Sequence, residues 1–135
     1  MSDFIDSNVL IYSLLEDDPR FAAAIDILEQ RPITSVQAVN EMVSVSRAKY
    51  RVDWPRLNRA VDLVEQLVSV IHPLLPEDNR EARRLAERYK LQWWDSLLLA
   101  VALRTGASRF LSEDLQHGQV IEERLTVVNP FRAAS

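Results

Sequence analysis

The sequence predicts an α/β domain, with a central, mostly parallel sheet of about five strands and helices on both faces. Three observations carry this. Stretches with helical apolar spacing alternate with short runs rich in Val and Ile, the order of elements that a parallel sheet needs. The punctuation between them is brief ("EDDP", "RVDWP", "PLLPEDN", "RTGAS", "LQHG"), with no linker, repeat or low-complexity tract. The 135 residues, 47% hydrophobic and 27% charged, suit one domain over residues 1–135, which buries about 68–70% of the surface its unfolded chain exposes.

In chain order, "DFID" is a strand ending at Asp6. "FAAAIDILEQ" is an amphipathic helix following Pro19, whose fixed φ suits a first helical turn. "PITS" is a strand, and "SVQAVNEMVSVSRAKY" a helix whose wheel puts Val36, Val39, Val43 and Tyr50 on one stripe. Glu41 falls away from that stripe, near Ala38, Val45 and Ala48. "LNRAVDLVEQLV" sets Leu57, Val61, Val64 and Val68 on one helical face, and "VSVIHPL" is a strand. "EDNREARRLAERYK" gathers Ala82, Leu85, Ala86 and Tyr89 on one side, while "WDSLLLAVALRT" is apolar nearly all round, as a central buried helix is. "SRFLS" and "LTVVNP" complete the strands.

Composition removes several function classes. Without cysteine the chain forms no disulfide, thiolate zinc site or thiol nucleophile, and cytoplasm is the expected location. The opening "MSDFIDSNVLIYSLLEDD" lacks a basic n-region and turns acidic, so neither a signal peptide nor a membrane span is expected. A formal net charge of −4 argues against nucleic-acid binding by the whole surface and leaves room for a local site. Two glycines, Gly106 and Gly118, supply neither a dinucleotide-binding turn nor a P-loop. His72 and His117 are far apart and read as structural or solvent-exposed groups.

The carboxylates are the informative feature. In open α/β sheets, ligands bind outside the carboxyl ends of the strands, where strand order reverses. Asp6 ends the first strand, and Asp114 follows another in "RFLSEDLQHG". Glu41 lies in a helix, and Asp95 opens the apolar helix in "LQWWDSLLLAVALRTG", where an ionised group needs a compensating partner. If the four converge, each pair about 4 Å apart repels by roughly 4 kcal/mol at an effective dielectric of about 20. A hard divalent cation, Mg²⁺ or Mn²⁺, offsets that cost and suits an all-oxygen donor set. Such a centre orients a water and neutralises charge developing on a phosphodiester. Each acid also has an ordinary reading: Asp6 and Asp95 suit helix N-caps, Asp114 suits a turn cap, and Glu41 suits an exposed helix face.

These motifs resemble those of the PIN-domain ribonucleases, most closely the VapC-type toxins of bacterial toxin–antitoxin pairs. "FIDSNVLIY", "SVQAVNEMV", "WWDSLLLAVAL" and "FLSEDLQHGQ" are similar to the family's four acidic motifs, in order, and "LTVVNPF" to its closing strand. The resemblance implies a PIN-like fold with Asp6, Glu41, Asp95 and Asp114 as catalytic, metal-site acids, supported by Asn8 and Ser112. It implies a Mg²⁺-dependent endoribonuclease leaving 5′-phosphate and 3′-hydroxyl ends, a homodimer, and a cognate antitoxin that inserts a segment into the acidic cleft. Ser96 and the pair Trp93–Trp94 depart from the usual pattern without touching a proposed ligand. Glu113 reads as a supporting or exposed acid, and the two tryptophans as core rather than as a platform on which RNA bases stack. Arg47, Lys49 and Arg51 suit either RNA phosphates or a solvated helix end. The rival readings are a catalytically inactive PIN-like protein- or RNA-binding module, and a metal-dependent DNA nuclease or phosphatase.

Overall fold

The computed structural model describes residues 2–132; Met1 and residues 133–135 of the expected domain lie outside the described residues. The elements are β1 (Asp3–Ile5), α1 (Ser7–Tyr12), α2 (Phe21–Glu29), β2 (Ile33–Ser35), α3 (Val36–Ala48) and α4 (Trp54–Leu67), then β3 (Val70–His72), α5 (Pro76–Tyr89), α6 (Trp93–Arg104), β4 (Arg109–Leu111), β5 (Val120–Ile121) and β6 (Leu125–Val128). The sheet order is β3-β2-β1-β4-β6-β5. Every neighbouring pair is parallel except β5 with β6. Phe4 and Ile5, consecutive on central β1 and therefore on opposite faces, are both fully buried. Helices thus cover both sides of the sheet. Phe4 pairs in register with Phe110 of β4, and their rings stack at 5.6 Å.

The sheet has six strands where about five were expected. The extra one, β5, is two residues long and forms a hairpin with β6 through Glu122 and Glu123, both at positive φ (51° and 61°). Two residues show no periodicity, and no Gly or Asn marks the turn. Side chains from α5 hold it instead. Tyr89 Oη accepts from Glu122 N at 2.9 Å and donates to Glu122 Oε2 at 2.8 Å, and Arg84 and Arg88 pair with the same carboxylate.

Two local expectations also shift. The buried line of α3 is Ala38, Met42 and Ser46, whereas Val36 is 38% exposed and Val39 and Val43 are only half-buried. α3 packs on α1, and a line dominated by small residues permits close approach, which leaves the bulkier valines flanking the contact. Pro19 precedes α2 rather than opening it: the turn is fixed by Asp18 Oδ1, which accepts from Arg20 N at 2.8 Å, and the helix begins at Phe21. Proline does stand in the first turn of α4 (Pro55) and α5 (Pro76).

α6 is the central helix the composition predicted, with Ser96 through Leu103 buried without a break. It packs extensively on α5, and buried Asp78 joins the two helices by pairing with Arg104 at 2.8 Å while accepting from Leu75 N at 2.8 Å. Full burial of leucines such as Leu98 and Leu99 contributes about 1.5–3 kcal/mol each. The first turn of α6, which carries Asp95, is therefore anchored to the core. No helix among the described residues is long and apolar enough to cross a membrane.

Candidate metal centre

β1 has β2 on one side and β4 on the other, so strand order reverses at β1 and opens a crevice beyond the carboxyl ends of β1 and β4. Asp6 is the first residue after β1, and Ser112 and Asp114 follow β4. The backbone carries both segments past the strands: Asp6 N donates to Leu111 O, and Ser112 N to Val128 O, each at 3.0 Å.

Asp6 is 1% exposed and is the N-cap of α1, its Oδ1 accepting from Ser7 N at 2.6 Å. Its Oδ2 accepts from Ser112 Oγ at 2.7 Å. That hydroxyl in turn accepts from Asp114 N at 3.0 Å and from Asn8 Nδ2 at 3.2 Å, which uses its whole bonding capacity. Asn8 Nδ2 also reaches Asp114 Oδ2 at 3.2 Å and Asp6 Oδ2 at 3.4 Å. Ser112 and Asn8 thus bridge the first and last acidic segments.

Asp95 is the third residue of α6, whose N-cap is Gln92, so it is not the cap that its surroundings suggested. It has no hydrogen-bond partner among the described residues. One oxygen each of Asp6, Asp95 and Asp114 lie within 4.8 Å of one another. Glu41 is outside that group of three but close enough for their charges to act on it, and its Oε2 is buried without a partner. The structure therefore assembles three of the four acids and sets the fourth beside them.

The electrostatics follow from this packing. Burial pushes the Asp6 carboxyl up to about 7, opposed by the Ser112 hydrogen bond and reinforced by the charges of Asp95 and Asp114. Burial, then the Asp6 and Asp95 charges, raise Glu41 to about 7. Burial and Asp114 raise Asp95 to about 6. The neighbouring charges that act on these three groups are all carboxylates. What the site offers is acceptors: three clustered carboxylates, the orphaned Glu41 Oε2, and Asn8 Oδ1, also buried without a partner. An all-oxygen set with surplus negative charge fits a hard divalent cation such as Mg²⁺ or Mn²⁺.

Other sequence candidates lie elsewhere. Arg47 donates to Val52 O at 2.9 Å and stacks over Trp54, Lys49 lies over Tyr50, and Arg51 holds a positive φ of 53°. Arg47 is six residues beyond Glu41 on α3, about 9 Å along the helix axis, and none of the three basic groups joins the acids. Glu113 accepts from Tyr12 Oη and pairs with Arg20 at 3.2 Å. Trp93 packs against the core as expected, but Trp94 is 54% exposed. His117 Nδ1 accepts from Asn129 N at 3.0 Å. Sequence reasoning missed a cavity of about 490 Å³ that opens from Asp95 and Asp114 and is lined by Lys90, Leu91, Gln92 and Leu115. A lysine ending an amphipathic helix carries no signal that it borders a cavity.

With this geometry in place, known proteins can be compared. No curated protein sequence matches the chain. Similar solved structures include the VapC20 toxin of Mycobacterium tuberculosis, described as cleaving the sarcin–ricin loop (17% identity, 84% of this chain and 92% of that one, TM-score 0.69). They also include a toxin–antitoxin complex from Klebsiella pneumoniae (22%, 96% and 98%, TM-score 0.69). A third is VapBC2 from Rickettsia felis bound to a promoter DNA fragment (13%, 96% and 100%, TM-score 0.65). At these identities the likeness speaks for the fold. The family model for the PIN domain matches residues 4–122, nearly the whole chain from β1 through β5, and the protein therefore belongs to the PIN domain family.

Proposed function

We propose that the protein is a metal-dependent endoribonuclease acting as the toxin of a toxin–antitoxin pair. The observation that carries this reading is the convergence of Asp6, Asp95 and Asp114 at the β1–β4 switch point, with the unpartnered Glu41 Oε2 beside them. Asp6, Asp95 and Asp114 would hold Mg²⁺ or Mn²⁺. When bound, the ion orients and activates a water and offsets charge on the phosphodiester. The chain's own contribution is placement. Ser7 N and Ser112 Oγ fix Asp6, Ser112 and Asn8 tie the Asp114 segment to it, and α6 presents Asp95 from a rigid base. Glu41 is left to accept a hydrogen bond from the attacking water. The water oxygen bonds to phosphorus as the bond to the 3′ oxygen breaks, and that oxygen leaves with a proton, giving 5′-phosphate and 3′-hydroxyl ends.

The structural neighbours that are toxin–antitoxin complexes support a protein antitoxin as partner; that the toxin is a homodimer and that an antitoxin segment enters the acidic cleft are part of the same proposal. An arginine on that segment would complement the clustered carboxylates. Arg47, Lys49 and Arg51 are available only to an RNA strand that extends beyond the cleft.

The test is cleavage of a mixed structured RNA by the purified protein with Mg²⁺ or Mn²⁺, with a chelator, and with Asp95→Asn. Metal-dependent cutting lost in the variant is expected. Cutting retained by the variant would remove Asp95 from the catalytic centre, and no cutting at all would favour a PIN-like binding module.

A further inference from the structure

A centre made of carboxylates has to hold a polyanion, and its three clustered acids give it no cation of its own. The cavity of about 490 Å³ that adjoins Asp95 and Asp114 lies within the range of ligand sites and has one basic residue on its wall, Lys90. Lys90 is the C-cap of α5 and holds a left-handed conformation, φ 58° and ψ 47°, where glycine is the usual occupant. A lysine there costs about 1 kcal/mol or more in backbone energy. Lys90 is exposed, and no ion pair or hydrogen bond engages it among the described residues. Gln92, on the same wall, is the N-cap of α6, and its side chain makes no capping bond.

We propose that this cavity is the subsite for the nucleotide next to the scissile phosphate, with Lys90 Nζ pairing with a flanking RNA phosphate. The inference rests on the ribonuclease reading and adds to it the group that offsets the like-charge cost of bringing RNA to the acids. Lys90 is a substrate-binding residue here. It sits on the α5–α6 turn, so the helix that presents Asp95 also sets its distance from the acids.

The conformation of Lys90 supplies a clean variant. Lys90→Gly removes the cation while keeping, and easing, the left-handed turn. Arg31→Gly is a matched control, because Arg31 also has positive φ (57°) but precedes β2, at the amino ends of the parallel strands and away from the acids at their carboxyl ends. Steady-state cleavage of a labelled single-stranded RNA of mixed sequence with Mg²⁺ is measured for the wild type, Lys90→Gly, Lys90→Arg and Arg31→Gly, at several salt concentrations. Lys90→Gly should raise KM about 3- to 10-fold, leave kcat within about twofold, and reduce the slope of log affinity against log salt by about 0.7. Its Tm should be unchanged or higher, Lys90→Arg should restore KM, and Arg31→Gly should behave as wild type. A Lys90→Gly enzyme with the wild-type KM and salt slope would overturn the subsite and leave the nuclease reading standing. A fall in kcat together with Tm would show that Lys90 acts only through the turn, which also overturns it. A wild-type protein that does not cut RNA overturns both.

Discussion

In the metal-free protein, replacing Asp95 by Asn should stabilise the fold at pH 8. Asp95 sits in the first turn of a buried helix, without a hydrogen bond, and facing Asp114. Its carboxyl is raised from 3.8 to about 6, burial being the larger cause and the Asp114 charge the second. A native pKa above the unfolded one means that between about pH 4 and pH 6 the folded state holds more protons. The associated stability is therefore complete below about pH 4 and is lost as pH rises through 6. At 1.36 kcal/mol per pH unit the ceiling is about 3 kcal/mol. Partial exposure and solvent screening reduce this to about 1.5–2 kcal/mol. A carboxylate at this helix position also gains about 0.3–1 kcal/mol from the helix dipole, which leaves a net penalty on the order of 1 kcal/mol. Asn keeps the shape and removes the charge.

With an unfolding entropy of about 2.1 cal/mol/K per residue, 1 kcal/mol corresponds to a rise of roughly 3–4 °C in Tm for a chain of this length. The assay is thermal unfolding in excess chelator at pH 8 and pH 4, repeated at pH 8 with millimolar Mn²⁺. Asp95→Asn should melt higher in chelator at pH 8 and level with wild type at pH 4. In Mn²⁺ the order should reverse, because an ion bound only to the native wild type stabilises it by RT ln(1 + [L]/Kd). A variant that melts several degrees lower in chelator at pH 8 would refute the reasoning, since Asp95 would then be a structural group with a partner.

Three further outcomes follow from named contacts. Ser112→Ala removes the hydroxyl that links Asp6, Asn8 and Asp114 N, so urea unfolding should show a loss of about 1–3 kcal/mol, and Mn²⁺ titration should show weaker binding. Glu41→Gln replaces a half-buried carboxylate whose Oε2 has no partner; it should raise Tm in chelator at pH 8 and lower RNA cleavage by at least about tenfold, and a variant of wild-type activity would remove Glu41 from the site. Glu123→Asn puts a residue tolerant of positive φ where φ is 61°, and chemical denaturation should report a gain of about 0.5–1 kcal/mol, whereas a loss would mean that the Glu123 side chain holds the hairpin.

The sequence was most legible where one physical demand dominated. α6 reads as apolar nearly all round because Ser96 through Leu103 are buried on every side, and a run of eight such residues has few other places to go. The alternation of helices with Val- and Ile-rich runs likewise leads to a parallel sheet, and that order put Asp6 and Asp114 at one edge before any contact was known. Legibility failed where the stabilising groups are remote in sequence. β5 exists because Tyr89, Arg84 and Arg88, some thirty residues upstream, clamp Glu122, and nothing within "QVIEERL" announces that. The buried line of α3 was misread because hydrophobicity ranks valine above alanine and serine, whereas a close helix contact selects for small size. The Lys90 cavity was invisible for a third reason: it is formed by a turn and a loop that meet only in space.

The acids are supported unequally, and this bears on how such a site persists without its ion. Asp6 is held by the Ser7 backbone and the Ser112 hydroxyl, bonds that the folding of β1, α1 and β4 makes in any case. Its burial is a cost met within the fold. Asp95 has no such partner, and Asp114 accepts only from Asn8 and remains exposed. Glu41 keeps one oxygen buried and unsatisfied. The half of the site fixed by hydrogen bonds can thus stay assembled without metal, while the other half is held by covalent attachment to α6, α3 and the loop after β4. Because those bases are anchored in the core, the repulsion among the carboxylates is stored rather than relaxed by moving the backbone. All three carboxyls are raised, so partial protonation of Asp6, Glu41 and Asp95 near neutral pH relieves part of it. Ion binding should therefore release protons, and the number released should fall as pH rises from 6 to 8. Calorimetric titration with Mn²⁺ in buffers of different ionisation enthalpy measures that number directly, and a value of zero at pH 6 would mean that the carboxylates are already ionised and the repulsion is met in some other way.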